Sequence, residues 1–234
     1  IAPDHLSELY HRALEAGLQI HTHTNGDQAT QLALDKFAPA LQKHPNPDHR
    51  FTLQHCQLAD AAQFRQAAKL GMCVNLFANH NFYWGDEHYT LTVGRERATR
   101  MNACRTALDA GIPLAIHSDA PIPPLRPLFT AWGAVTRITA SGRVQGVEER
   151  ITVAEALHAT GSDPDGPWVV IAAARWDAER VPWDCRRARG GTLLLEGVER
   201  LQERLFKRCR GEVRTLERVW PVARQNVNRG VSPL

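Results

Sequence analysis

Leu18-Gln19-Ile20-His21-Thr22-His23-Thr24-Asn25-Gly26-Asp27 joins a short apolar run to two histidines and a helix start. Residues 18–21 read as a short strand, and the segments on either side read as helices. Upstream, Asp4 is placed to cap a helix that runs to Glu15 and stops at Gly17. Downstream, a helix starts near Asp27 with Leu32, Leu34 and Phe37 near helical spacing, and Pro39 is expected to end or kink it. Residues two apart on a strand share a face, so His21 and His23 point the same way near the strand's carboxyl end.

The same unit recurs downstream. Pro45-Asn46-Pro47 breaks the chain, and Phe51-Thr52-Leu53-Gln54 reads as the next strand. Residues 60–70 read as a helix, Gly71 as a turn and Met72-Cys73-Val74-Asn75-Leu76 as a third strand. After a long loop, residues 95–110 read as a helix, Gly111 as a turn and Ile112-Pro113-Leu114-Ala115-Ile116 as a fourth strand. Strands separated by helices favour parallel βα units over a hairpin sandwich. The expected fold class is therefore α/β, a partial (β/α)8 TIM-type barrel with four of its eight strands.

Composition sets looser bounds. The 234 residues are 43% hydrophobic and 23% charged, an ordinary globular balance, and a net charge of +3 is too weak to argue for nucleic acid. The five cysteines are odd in number and form no C-x-x-C pair, which favours a reducing, cytoplasmic setting. No apolar run approaches the roughly 18 residues of a membrane span. Ile1 is not an initiator methionine, so a processed, trimmed or incomplete chain is expected.

The character changes at residue 161. Residues 161–234 hold four of the six tryptophans and thirteen of the twenty-four arginines but one lysine, Lys207. No clear βα alternation continues there, although residues 196–210 could form a basic amphipathic helix. The expected organisation is a barrel half over 1–160 and an Arg/Trp-rich tail over 161–234. That tail reads either as solvated and partly disordered or as a segment that binds nucleic acid or a protein partner.

Chemistry-bearing residues fall at one place in the unit. His23 and His55 close the first two strands, and Asp119 closes the fourth in Ala115-Ile116-His117-Ser118-Asp119. In a parallel barrel such positions converge on one mouth. Imidazole nitrogen with carboxylate oxygen suits zinc and related divalent ions. A lone strand-end histidine is more often structural, and Asp119-Ala120-Pro121 alone would read as a turn. The recurrence is what raises the metal reading.

His23-Thr24-Asn25-Gly26-Asp27 followed by an amphipathic helix resembles the fifth-strand motif of the amidohydrolase superfamily, in its family-3 branch of YtcJ-like and N-substituted formamide deformylase-like proteins. Leu53-Gln54-His55 resembles the sixth-strand histidine motif, and His117-Ser118-Asp119-Ala120-Pro121 the eighth-strand aspartate motif. Phe82-Tyr83-Trp84-Gly85-Asp86-Glu87-His88 resembles the loop after the seventh strand. Arg143-Val144 and Glu148-Glu149-Arg150-Ile151-Thr152-Val153-Ala154-Glu155-Ala156-Leu157 resemble the segment that follows the barrel.

The resemblance covers residues 1 to about 160 and makes the four strands the fifth to eighth of the barrel. It implies hydrolysis of non-peptide carbon–nitrogen bonds in a small amide-type substrate, with one or two divalent ions, zinc foremost. His23 and His55 would be metal ligands. Asp119 would bind metal and act as general base on the water that the metal activates. Trp84, Asp86 and His88 would approach substrate, while His21 and His117 would lie just outside the ligands. His80 reads equally well as a solvent-facing histidine, Asp27 as a helix cap, and Cys56 and Cys73 as small packing residues.

The family's first-strand His-x-His and its fourth-strand bridging ligand have no counterpart here, because His21-Thr22-His23 continues into the fifth-strand pattern. The family's return to a β-sandwich is also lost after Thr160. These departures imply an incomplete copy with a frame change near Thr160, weakly active by itself. The competing reading is a non-catalytic half-barrel that binds a partner through its basic tail or closes as a homodimer.

Overall fold

The computed structural model describes residues 2–159, 168–172 and 192–196. The chain divides into two compact units, Ile1–Pro164 and Asp165–Leu234. In the first, β1 (His21–Thr24), β2 (Thr52–His55), β3 (Cys73–Leu76) and β4 (Leu114–Ile116) pair side by side in chain order. Every pairing is parallel, with His23 opposite Gln54 and Gln54 opposite Asn75. The helices are α1 (Pro3–Glu15), α2 (Asp27–Lys43), α3 (Ala61–Lys69), α4 (His80–Glu87), α5 (Gly94–Thr99), α6 (Cys104–Asp109), α7 (Pro127–Thr136) and α8 (Val153–Ala159). Parallel strands in sequential order with helical returns are the (β/α)8 pattern, here four units of it.

The two sheet faces differ, and the pleat explains why. Leu53, Val74, Leu76, Leu114 and Ile116 are buried in a core with Leu34, Phe37 and Phe64 from the helices. Tyr10 of α1, Phe37 of α2 and Phe51 before β2 stack at 4.9–6.1 Å and lock the first helices to the sheet. The opposite face is polar. His21 Nδ1 meets the Gln54 amide, and Gln54 Oε1 accepts from Asn75 Nδ2 at 2.9 Å. A row of hydrogen bonds thus crosses three strands beneath the mouth.

Local chemistry sets several boundaries. Asp60 accepts from the backbone N–H of Ala62 and Gln63 at 2.8 and 2.9 Å, while Gln63 Oε1 accepts from the Asp60 N–H at 3.2 Å. This capping box starts α3 where the sequence indicates. β1 begins at His21 rather than at 18, because its neighbour β2 starts at Thr52, opposite His21. Pro39 neither ends nor stops α2, which continues to Lys43. Ala33, Leu34, Phe37 and Ala40 are all buried on that helix, and their packing outweighs the ~3 kcal/mol that an internal proline costs.

The expected helix over 95–110 is two helices, α5 and α6, parted at Asn102 with φ of 52°. Arg137 accounts for the break. Its guanidinium donates to the carbonyls of Met101 at 2.7 Å, Asn102 at 2.9 Å, Thr99 at 3.2 Å and Gln145 at 2.7 Å. The carbonyls of Thr99, Met101 and Asn102 thus serve Arg137 where a continuous helix would have used them. Gly146 completes the contact: φ is 71°, and a Cβ there would lie 1.8 Å from the Thr99 carbonyl oxygen. The long loop expected after β3 instead contains α4 and a π-helical turn, His88–Thr92.

In the second unit, β5 (Trp168–Ala172) and β6 (Thr192–Glu196) pair in parallel, so strand structure does continue past residue 161. The helix expected over 196–210 lies outside the described residues, apart from Glu196 at the end of β6. Among the described residues, no helix is long and apolar enough to cross a membrane.

Candidate metal centre

The carboxyl ends of β1, β2 and β4 bring the predicted residues to one mouth. Alternation alone would put His55 on the aliphatic face with Leu53, two residues before it. Its φ of 69° removes it from that pattern, and Cys56 follows at 46° and Asp119 at 57°. Left-handed backbone at non-glycine residues costs roughly 1–3 kcal/mol each and persists where surrounding structure imposes it. Two of these three residues are candidate ligands.

Donor atoms of His55, His117 and Asp119 all lie within 4.8 Å of one another. His55 Nδ1 and His117 Nε2 are buried and meet no hydrogen-bond partner among the described residues. An imidazole with an unpaired ring nitrogen beside a carboxylate fits a divalent cation. His23 stands beside this trio, its ring edge-on to His55 with centroids 4.5 Å apart. His117, expected outside the ligands, falls inside the cluster, whereas His23, expected as a ligand, flanks it. His21 stays outside, between Gln54 and Gln19.

Hydrogen bonding distinguishes the two inner histidines. The backbone N–H of Asp119 donates to His117 Nδ1 at 3.0 Å. In the neutral ring the proton is therefore on Nε2, and His117 offers the cluster a donor rather than a lone pair. Burial, followed by the neighbouring His55, pushes the His117 pKa down to about 4. Burial also lowers the His55 pKa, against the pull of Asp119, so both rings are neutral near pH 7.

The aromatic wall comes from β3 and α4. Phe77 stacks on His117 at 5.3 Å and packs against His55 at 5.9 Å. Trp84 reaches Phe77 at 6.0 Å and His80 at 4.6 Å. His88 lies against His80, so Trp84 and His88 both join the wall. His80 was readable as a solvent-facing histidine, but burial pushes its pKa down to about 3, aided by His88 and His55. Only the folding of 80–87 into a helix could have revealed that.

Asp86 is engaged elsewhere. It accepts from Thr139 Oγ1 at 2.9 Å, Ser141 Oγ at 2.7 Å and the Ser141 N–H at 3.0 Å, with Arg143 at 3.5 Å. Burial raises its pKa, but the Ser141 and Thr139 hydrogen bonds and the Arg143 charge outweigh that and hold it low. Asp27 is the first residue of α2 rather than its cap, and it pairs with Arg97 at 2.8 Å. Cys56 is buried against Thr24, and burial pushes its thiol up to about 12, far from nucleophilic use. Cys73 is half-buried on β3.

Comparison with known proteins identifies the family and the fold. The amidohydrolase family matches residues 2–166. The chain is 30% identical over 149 residues to the N-substituted formamide deformylase of Arthrobacter pascens, covering 63% of this chain and 27% of that protein. It is 32% identical over 136 residues to YtcJ of Bacillus subtilis strain 168, covering 56% and 24%. The chain thus spans about a quarter of the length of these curated relatives. Its fold is similar to a solved uncharacterized metal-dependent hydrolase from Pyrococcus furiosus, with TM-score 0.53 and 23% identity over 68% of this chain and 31% of that one. With its parallel βα order and strand-end His/Asp cluster, this chain belongs to the amidohydrolase family, in the family-3 branch.

Proposed function

We propose that this chain contributes the metal-holding side of a hydrolase that cleaves carbon–nitrogen bonds outside peptides, with zinc as the metal. The observation that carries this reading is the meeting of His55 and Asp119 at the strand ends, with His55 Nδ1 buried and unpaired among the described residues and His117 beside them. Family membership supports the reaction class, and the formamide deformylase relative supports a small amide-type substrate.

His55 and Asp119 are the residues that would hold the ion, with His23 completing the set from beside His55. A divalent ion bound there supplies Lewis-acid activation of water and of the scissile carbonyl. The neutral state of His55 leaves a ring lone pair ready to bind. Asp119 has a second role, since its carboxylate can take a proton from the attacking water and return it to the departing nitrogen. His117, with Nδ1 occupied by the Asp119 amide, would present Nε2–H to an oxygen in the mouth. Phe77 and Trp84 keep that side apolar and limit water.

The test is hydrolysis of a panel of N-substituted formamides and acetamides by the zinc-loaded chain and its Asp119→Asn variant. The proposal expects whatever turnover is seen to fall at least about 100-fold in the variant, as losing a general base predicts. Equal turnover in both would overturn the role given to Asp119.

A further inference from the structure

One ring beyond the metal cluster lies a second pair of histidines. His80 Nε2 and His88 Nε2 are 2.9 Å apart, and the rings stack at 5.1 Å with planes 16° from parallel. His88 Nδ1 continues the line to Thr92 Oγ1 at 2.6 Å. At the inner end, His80 Nδ1 is buried without a hydrogen-bond partner among the described residues. His80 packs on Phe77 at 4.8 Å, and Phe77 in turn packs on both His55 and His117.

Proton counting restricts this chain of atoms. Two neutral imidazoles carry one proton each, and the Nε2···Nε2 contact holds one proton between them. If His88 donates to His80, His80 bears its own proton on Nδ1, and His88 Nδ1 accepts from Thr92. If His80 donates to His88, His80 Nδ1 becomes a bare lone pair, and His88 Nδ1 donates to Thr92. The two arrangements have the same bonds and differ only in whether the buried end is a donor or an acceptor. Burial holds His80 neutral, with a pKa of about 3, and also lowers that of His88. A buried polar atom without a partner is destabilising, so a group that hydrogen-bonds to it is favoured.

We propose that His80 Nδ1 binds a neutral hydrogen-bonding group of the substrate, and that His88 and Thr92 reset its tautomer to suit a carbonyl oxygen or an amide N–H. The site is suited to an uncharged amide and ill suited to a carboxylate or ammonium, whose charge the aromatic surroundings would not solvate. The π-helical turn His88–Thr92 makes the relay, because it places His88 and Thr92 on one side and within reach of each other. The inference rests on the hydrolase reading for the identity of the ligand as substrate.

The experiment is nitrogen-15 spectroscopy of the histidine-labelled chain, titrated with N,N-dimethylacetamide, which accepts hydrogen bonds and cannot donate them. His80 Nδ1 should move toward the protonated position, and His88 Nδ1 should move in the opposite sense. In His88→Phe, which keeps a flat ring on His80, affinity for the probe should fall several-fold while the backbone spectrum is retained. If that variant does not fold, reciprocity in the unaltered chain decides. No response at His80 on adding probe overturns the binding proposal, and a response at His80 without one at His88 overturns the relay. A parallel zinc titration read at His55 and His117 separates the two readings. Silence there with intact His80/His88 reciprocity sinks the metal reading alone, whereas zinc binding with a silent His80 sinks only this inference.

Discussion

Two buried polar regions of the first unit invite comparison: the guanidinium of Arg137 and the histidine cluster at the strand ends. Arg137 is 1% exposed, yet its nitrogens reach four backbone carbonyls. Around the mouth, His55 Nδ1, His117 Nε2 and His80 Nδ1 are buried and meet no hydrogen-bond partner among the described residues. Both regions contain non-glycine residues at positive φ, Arg137 at 55° and His55 and Asp119 at 69° and 57°. Burial and strain therefore do not distinguish them; the pairing of the central ionisable group does, since Arg137 is bonded on every nitrogen even though Asn102 Oδ1 and Gln145 Oε1 beside it lack partners among the described residues. A buried polar group that is fully paired serves the fold, and one left open beside others of its kind is available to a ligand.

The comparison is sharpened first by Arg137→Met. It leaves several buried carbonyls without donors and should lower unfolding stability by about 3–5 kcal/mol, measured by urea denaturation. A loss under about 1 kcal/mol would break the structural half of the contrast.

The open side predicts a pH effect of opposite origin. His80 titrates near 3 in the folded chain and near its ordinary 6.5 when unfolded. Between those values the unfolded state binds more protons, so stability is full above about 6.5 and falls as pH drops toward 3. The slope from this one group is at most about 1.4 kcal/mol per pH unit, less where solvent reaches it. Urea midpoints at pH 7, 6 and 5 should fall less steeply in His80→Phe than in the unaltered chain. Identical slopes would show that His80 is not held neutral by the fold.

Asp86 gives the smallest of these effects and the cleanest sorting. Its carboxylate is paired to Thr139, Ser141 and Arg143, so Asp86→Asn should cost about 1–2 kcal/mol of stability and leave zinc affinity unchanged. A weakened zinc site with unaltered stability would return Asp86 to the functional group.

Much of this was legible in the sequence, for reasons that can be named. Gly17, Gly71 and Gly111 mark helix ends at positive φ, and the alternation of helix and apolar run set the parallel order. Strand-end placement picked out His23, His55 and Asp119 without any contact information. What could not be read depends on distant partners. The break between α5 and α6 exists because Arg137, some 35 residues on, draws their carbonyls. The aim of His55 depends on a left-handed backbone that no propensity announces. His117 joins the cluster through a bond from the Asp119 amide, and His80 is buried because residues 80–87, with weak periodicity around Gly85, form a helix.

Calorimetric zinc titration asks whether His55 and Asp119, with His23 beside them, hold a divalent ion. The account predicts saturable binding by the chain, weakened at least about 100-fold in both His55→Ala and Asp119→Asn, with the urea midpoint of metal-free Asp119→Asn close to that of the parent. Equal zinc binding by parent and variants, or none by a folded parent chain, would contradict it.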